Sequence, residues 1–279
     1  MARSIARVYF DVNVFRQLFL EDGTHYSRLA ELHHLVGANR LRVFGSAMQF
    51  EELFGLINKN IAAYRQASPR VLKLIGPFFL RDRSELCSLE FQKRKQLSDA
   101  EACVPQRLLP PIRALVDDPK RAEDIRTEID NRHQHYREAF SKLADTIEAK
   151  LSSQGIERKH LQHEVKGAWT VSRAQVDDWI RSCPDVEAEL QRPLTQRLSA
   201  WQMPVFRSWY AFAIAHAYKT IIDGRQIQAS DRGDWDHYAY AAIPGLLVTD
   251  DRKLREIASH IELRHVGIAS SQEFFDSVE

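Results

Sequence analysis

Asp234–Leu254, DWDHYAYAAIPGLLVTDDRKL, carries the clearest pattern in the chain. It divides into a short helix, a Pro244-Gly245 break, a buried strand and a second helix. A short apolar run bounded by Pro-Gly and by acids suits a parallel strand covered on both faces. The charges stand at the joints: Asp234 and Asp236 open the first helix, and Asp250 and Asp251 follow directly on the strand. Acids at a strand's carboxyl end lie on the edge where open α/β sheets bind ligands. An acid early in a helix is also kept ionised by the helix dipole. Ionised carboxylates gathered at one point repel each other unless a cation sits among them. The rest of the chain is therefore expected to bring more oxygens to the same place.

Outward from this stretch, Val205–Ile222 is apolar nearly all round, the mark of a buried helix. Residues 224–233 read as a loop containing Asp231. Ile261–Val266 reads as a last strand and Ser271–Val278 as a last helix. At the other end of the chain, Ile5–Phe10 reads as a strand that stops at Asp11-Val12-Asn13, followed by helical VFRQLFL. Local evidence leaves Asp11 open to a second reading, as the N-cap of that helix. Thr24–Val36 carries Leu29, Leu32 and Leu35 at helical spacing, and Leu41–Phe44 is a short strand. Ser46 caps a helix running to about Ala62, whose apolar side is Phe50, Leu53, Phe54 and Ile57. Glu51 and Glu52 lie about 100° apart around its axis, so at most one of them aims squarely at a given point.

From Ser68 to Ala200 the character changes. Charged and amide residues dominate, prolines punctuate, and strand patterns vanish. The longest helix runs from about Lys120 to Leu151, with Ile125, Ile129, Tyr136, Phe140, Leu143, Ile147 and Leu151 forming a seam that Arg132 interrupts. Ala174–Ile180 and Val186–Trp201 could return against it. His133 with His135, and His160 with His163, are weak metal candidates. Residues two apart on a helix face different ways, and no cysteine or carboxylate cluster completes a zinc set. The expectation is an α/β domain from residues 1–66 and 203–279, with a central mostly parallel sheet, interrupted by an all-helical insertion over 67–202.

Bulk properties narrow the class. The 279 residues carry a formal net charge of +1, so a nucleic-acid surface would be a local patch rather than a global field. The three cysteines, Cys87, Cys103 and Cys183, form no metal or redox motif and suit a reducing compartment. MARSIARVYF leads straight into a strand pattern without secretory features, and no apolar run approaches the roughly 18 residues of a membrane span. A cytoplasmic location is expected.

Four acidic points now stand in order: Asp11 after the first strand, Glu52 in an early helix, Asp234 at a helix start and Asp251 after a late strand. The stretches VYFDVNVF, SAMQFEELFG, DWDHYAYAA and LLVTDDRKL resemble the motifs of the PIN-domain nuclease superfamily. Its members end a first strand in Asp-x-Asn and place Glu-Leu six residues after a Ser. They then open an alanine-rich helix with Asp and end a strand in Thr-x-Asp. Ser46 to Glu52 keeps the second spacing, which favours Glu52 over Glu51; Asp234 fits better than Asp236, and Asp250 takes the variable slot. The resemblance covers roughly residues 4–66 and 203–279 and implies a three-layer α/β/α fold.

What the resemblance implies agrees with the donor chemistry. Carboxylate oxygens select Mg²⁺ or Mn²⁺ over zinc. Asp11, Glu52, Asp234 and Asp251 are expected as metal ligands and catalytic groups. Asn13, Thr249 and Ser46 would support them, and Asp236 and Asp250 are held in reserve. The implied reaction is metal-dependent hydrolysis of a phosphodiester, with RNA favoured as partner, leaving 5′-phosphate and 3′-hydroxyl ends. A neutralising protein partner, as for the superfamily's toxin members, and an oligomer stay open. One rival is an inactive PIN-like scaffold that binds RNA or protein through the helical insertion. Another, a haloacid-dehalogenase-like phosphatase, would need a second Asp where Asn13 stands.

Overall fold

The computed structural model describes residues 5–20, 23–57, 61–93, 95–104, 169–182, 203–224, 231–263 and 265–278, with six isolated positions between 127 and 149. Four strands form one all-parallel sheet: β1 (Ala6–Phe10), β2 (Leu41–Phe44), β3 (Leu246–Val248) and β4 (Gly267–Ala269). Their order is β2-β1-β3-β4, with Tyr9 opposite both Phe44 and Leu247, and Leu247 opposite Ile268. The described helices are α1 (Val12–Phe19), α2 (Leu29–Gly37), α3 (Ala47–Ile57), α4 (Ile61–Ile75), α5 (Arg83–Lys93) and α6 (Asp99–Ala102). They continue as α7 (Arg173–Ser182), α8 (Pro204–Asp223), α9 (Asp231–Ala241), α10 (Arg252–Ser259) and α11 (Ser271–Val278). None is long and apolar enough to cross a membrane.

The strands alternate between two cores, as the two-residue period of a strand requires. Val8 and Phe10 of β1, Val43 of β2 and Val248 of β3 join Phe15, Leu32, Leu74 and Phe275 on one face. Tyr9, Phe44 and Leu247 join Leu86, Phe212, Tyr238 and Leu254 on the other. The first face is covered by α1, α2, α4 and α11, and the second by α5, α8, α9 and α10; α3 supplies Phe50 to one and Met48 to the other. A parallel sheet is stable only when buried on both faces, and this one is.

Three expected boundaries move. The segment 224–233 is not all loop: α9 begins at Asp231, so Asp234 stands in its first turn rather than at its start. The last strand is Gly267–Ala269, not Ile261–Val266. Ile261, Leu263 and Val266 are buried, but they pack in the core beneath α8, and Ile261 meets only an isolated bridge from Val171. Helix α4 crosses position 67 without a break and carries Pro69 inside it. A proline costs a helix interior about 3 kcal/mol, which burial of Ala67, Val71, Leu74 and Ile75 on the sheet offsets.

Part of the middle region is thereby tied to the sheet. Phe79 bridges Gly45 beside β2, and Leu86, Cys87 and Glu90 of α5 are buried against α8. At the start of α8, Pro204 has no amide hydrogen to satisfy, and the amides of Val205 and Phe206 each donate to Glu90 at 3.0 Å. The Arg207 amide donates to the Met203 carbonyl, so each of the first four positions is accounted for. Burial pushes the Glu90 carboxyl up to about 8 even though both amides pull it down. The seam from Ile125 to Leu151, the segment Val186–Trp201, and His133, His135, His160 and His163 lie outside the described residues.

Candidate metal centre at the carboxyl edge of the sheet

β1 and β3 are neighbours whose chains continue to opposite sides of the sheet, β1 to β2 and β3 to β4. This is the switch point at which parallel sheets open a crevice beyond the strand ends. Asp11 stands there, its amide bonded to the Val248 carbonyl at 2.9 Å. It holds the N-cap position of α1, yet its side chain makes no capping bond. Instead its Oδ2 accepts the Thr249 hydroxyl at 2.7 Å. The Thr249 oxygen accepts the Asp251 amide at 3.1 Å, and Asp251 Oδ1 accepts the Leu254 amide at 2.9 Å, capping α10. One threonine hydroxyl thus joins the acids that follow β1 and β3.

The opposite wall comes from α3 and α9. Glu52 Oε2 lies 2.8 Å from His237 Nε2, and Asp11 Oδ1 lies 3.8 Å from the same nitrogen. Ligand atoms of Asp11, Glu52 and His237 all fall within 4.8 Å of one another. The other ring nitrogen, Nδ1, is 3.0 Å from the Tyr9 hydroxyl, which is 2.7 Å from Ser46 Oγ. Ser46 therefore reaches the site through Tyr9. It also fixes α3: its amide donates to Gln49 Oε1 at 2.7 Å, and the Gln49 amide nitrogen donates to the Phe10 carbonyl. Helix α9 can approach Glu52 because residue 233 is glycine; a Cβ there would stand 2.1 Å from Glu52 Oε1.

The charges in this group are unbalanced. Burial pulls the His237 pKa down, but the charge and hydrogen bond of Glu52, then Asp11 and Asp234, pull it up to about 9. At neutral pH the imidazolium donates to Glu52 and to Tyr9. Burial raises the Asp11 carboxyl, His237 opposes the shift and Glu52 adds to it. Asp234 is driven to about 8, first by burial and then by Asp251, with Lys253 opposing and Asp11 adding. Asp234 and Asp251 thus flank the tight group within reach of mutual repulsion, without completing it at 4.8 Å. Among these groups, His237 and Lys253 are the cations set against Asp11, Glu52, Asp251 and, once it is ionised, Asp234, and Lys253 is shared with Asp231. Oxygen donors in excess over cations, around a crevice, fit a hard divalent ion.

The paired acids separate cleanly. Asp236 is buried with Oδ1 2.8 Å from Arg83 Nε, and that guanidinium lies over the Trp209 ring at 4.6 Å. Asp250 accepts the amide and hydroxyl of Ser271 at 2.9 and 2.7 Å, holding the start of α11. Burial pushes its carboxyl up, but the Ser271 bonds outweigh that and keep it below the ordinary range. Glu52, not Glu51, carries the bond to His237. Asn13 is exposed at the rim.

His237 is the member of the group that sequence reasoning passed over. Its signal is position: it lies one turn after Asp234, on the same side of α9. Asp231, read as a loop residue, is buried at the helix start, paired with Lys253 and 3.5 Å from His216. Compared with protein-family models, with curated proteins and with solved structures, the chain matches none.

Proposed function

We propose that the protein is a PIN-like nuclease that hydrolyses phosphodiester bonds, with RNA as the favoured substrate, using Mg²⁺ or Mn²⁺. The observation that carries the reading is the gathering of Asp11, Glu52 and His237 at the switch point, flanked by Asp234 and Asp251. Asp11 and Glu52 would hold the ion, with Asp234 and Asp251 binding it directly or through water. Such an ion, when bound, polarises a phosphoryl oxygen and makes a bound water a better nucleophile. The protein's own groups have the supporting tasks. Thr249 fixes the Asp11 carboxylate. His237 aims Glu52 and carries a proton beside it, held in place by Tyr9. The helical middle would select the substrate or a protein partner.

The test is a metal titration followed by thermal unfolding and by cleavage of a single-stranded RNA. Mn²⁺ should raise the melting temperature by mass action on the folded state. Asp11→Asn with Asp251→Asn should abolish that rise and the cleavage while leaving circular dichroism native. An unchanged metal shift in the double variant removes these residues from the site. A metal shift without hydrolysis of any nucleic acid favours the inactive scaffold instead.

A further inference from the structure

A cleft of about 350 Å³ opens beside the acids, lined among others by Asn13, Arg16, Gln17, Leu20, Asp250 and Asp251. It shares Asp251 with the candidate metal centre, and Asn13 enters it two residues after Asp11. A chain with one phosphate at the acids would therefore pass over this cleft. The acids in its wall keep their charge, but their oxygens are held by the protein's own donors. Asp250 has both oxygens on Ser271, and Asp251 has one on the Leu254 amide. Arg16 is exposed, and no acid among the described residues pairs with it. A guanidinium offers phosphate a planar fork of donors, and one that no described acid occupies beside a phosphodiester site has that use available.

We propose that this cleft is a subsite for a phosphate neighbouring the cleaved one, with Arg16 as its binding group. The inference rests on the nuclease reading and deepens it. The substrate class becomes a polynucleotide chain, because a small diester with a single phosphate would leave Arg16 unused. Asn13 adds an amide group to the same wall, Gln17 is hydrogen-bonded to Asp250, and Leu20 adds an apolar surface for a sugar or base.

Two substrates separate the possibilities: a short single-stranded RNA oligonucleotide and bis(p-nitrophenyl) phosphate, which carries one phosphate. Both are assayed with Mn²⁺ on the full chain. Arg16→Ala should raise KM for the oligonucleotide about tenfold with kcat nearly unchanged. It should also lower the slope of log KM against log salt by about 0.7, the share of one contact to a single strand. Hydrolysis of the small diester should not change, and Arg16→Lys should recover part of the loss. If the wild type cleaves both substrates and Arg16→Ala leaves the oligonucleotide KM and the salt slope unchanged, the subsite is overturned while the nuclease reading stands. Equal loss on both substrates also overturns it, since Arg16 would then serve the reacting phosphate or the fold. If the wild type hydrolyses neither, the nuclease reading falls and takes the subsite with it.

Discussion

Gly233→Ala should separate the site from the fold. A Cβ at this position would stand 2.1 Å from Glu52 Oε1 and 3.1 Å from Glu52 Cδ. Ordinary contact begins near 3.4 Å, so Oε1 must retreat by roughly 1.3 Å. Glu52 ends a flexible side chain that is 27% exposed, so it can swing toward solvent without disturbing the core. The helix itself gains, because alanine is favoured over glycine by up to about 1 kcal/mol in a helix, and less in the first turn. Global stability should therefore change by less than about 1 kcal/mol in urea. The site should change far more. A displacement of that size breaks the 2.8 Å bond from His237 to Glu52, and a bond to a charged group contributes about 1.5–3 kcal/mol. Losing it should lower the His237 pKa from about 9, read from the imidazole resonances in a metal-free NMR titration. Mn²⁺ affinity by calorimetry should fall at least tenfold. A variant with unchanged His237 titration and unchanged Mn²⁺ affinity would refute the arrangement of α9 against α3.

Exchanging the two acids of α9 should give opposite results. Asp236→Asn breaks a buried ion pair with Arg83 and should cost about 3 kcal/mol in denaturant while leaving metal affinity intact. Asp234→Asn removes a repelled carboxylate, so the metal-free protein should be no less stable near pH 8, while Mn²⁺ binding and turnover fall; the reverse ranking would show the register of α9 to be wrong. Metal-free stability should also decline as pH rises. Asp234 moves from 3.8 to about 8, so its stabilising proton is fully held below 3.8 and lost through 8; His237 moves from 6.5 to about 9, so its share is held below 6.5 and lost through 9. Melting temperature without metal should fall between pH 6.5 and 9, and the rise on adding Mn²⁺ should shrink as pH drops below about 8, because the ion must take the place of the Asp234 proton. Glu90 titrates near 8 as well, so the metal-dependent difference, not the baseline, is the quantity to compare. A metal-induced rise independent of pH would contradict this account.

Much of the fold is written in short apolar runs. VYF and LLV are unbroken by charge and LRVF carries a single one, Arg42, so β1, β2 and β3 can be read directly, and Val205–Ile222 is too apolar to be anything but buried. Asp11 and Thr249 were legible for the same reason, since each follows a strand end. The spacing from Ser46 chose Glu52, and the structure places that residue, rather than Glu51, against His237. His237 itself was hidden in DWDHYAYAA, where aromatic and alanine neighbours make a histidine look like core filling. The segment from Arg81 to Glu101, read only as part of the charged helical middle, differs in another way. Its charges look like a solvated face, but Glu90 is buried on helix amides and Arg83, itself half-buried, lies on the buried Asp236. Periodicity counts charges without knowing which have partners, and partners come from distant sequence. Ile261–Val266 fails for the complementary reason: a strand-like run can bury its side chains without joining a sheet.

The pairing of β1 with β3 also shapes how the chain comes to be folded. Asp11 and Thr249 are 238 positions apart, yet their side chains share a hydrogen bond at the middle of the sheet. During synthesis β1 and β2 can pair early, because only about thirty residues separate them. The other edge of β1 then waits, with its amides and carbonyls open, until residues 246–248 have emerged. An unpaired edge flanked by Val8 and Phe10 invites wrong partners, including a neighbouring copy, for as long as that wait lasts. Folding should therefore be slow and sensitive to concentration, with the yield decided by how well helices α1 to α4 cover the half-built sheet. The same delay keeps the acidic group apart until β3 has been made, so a truncated chain that ends before β3 would contain Asp11 and Glu52 but no assembled centre.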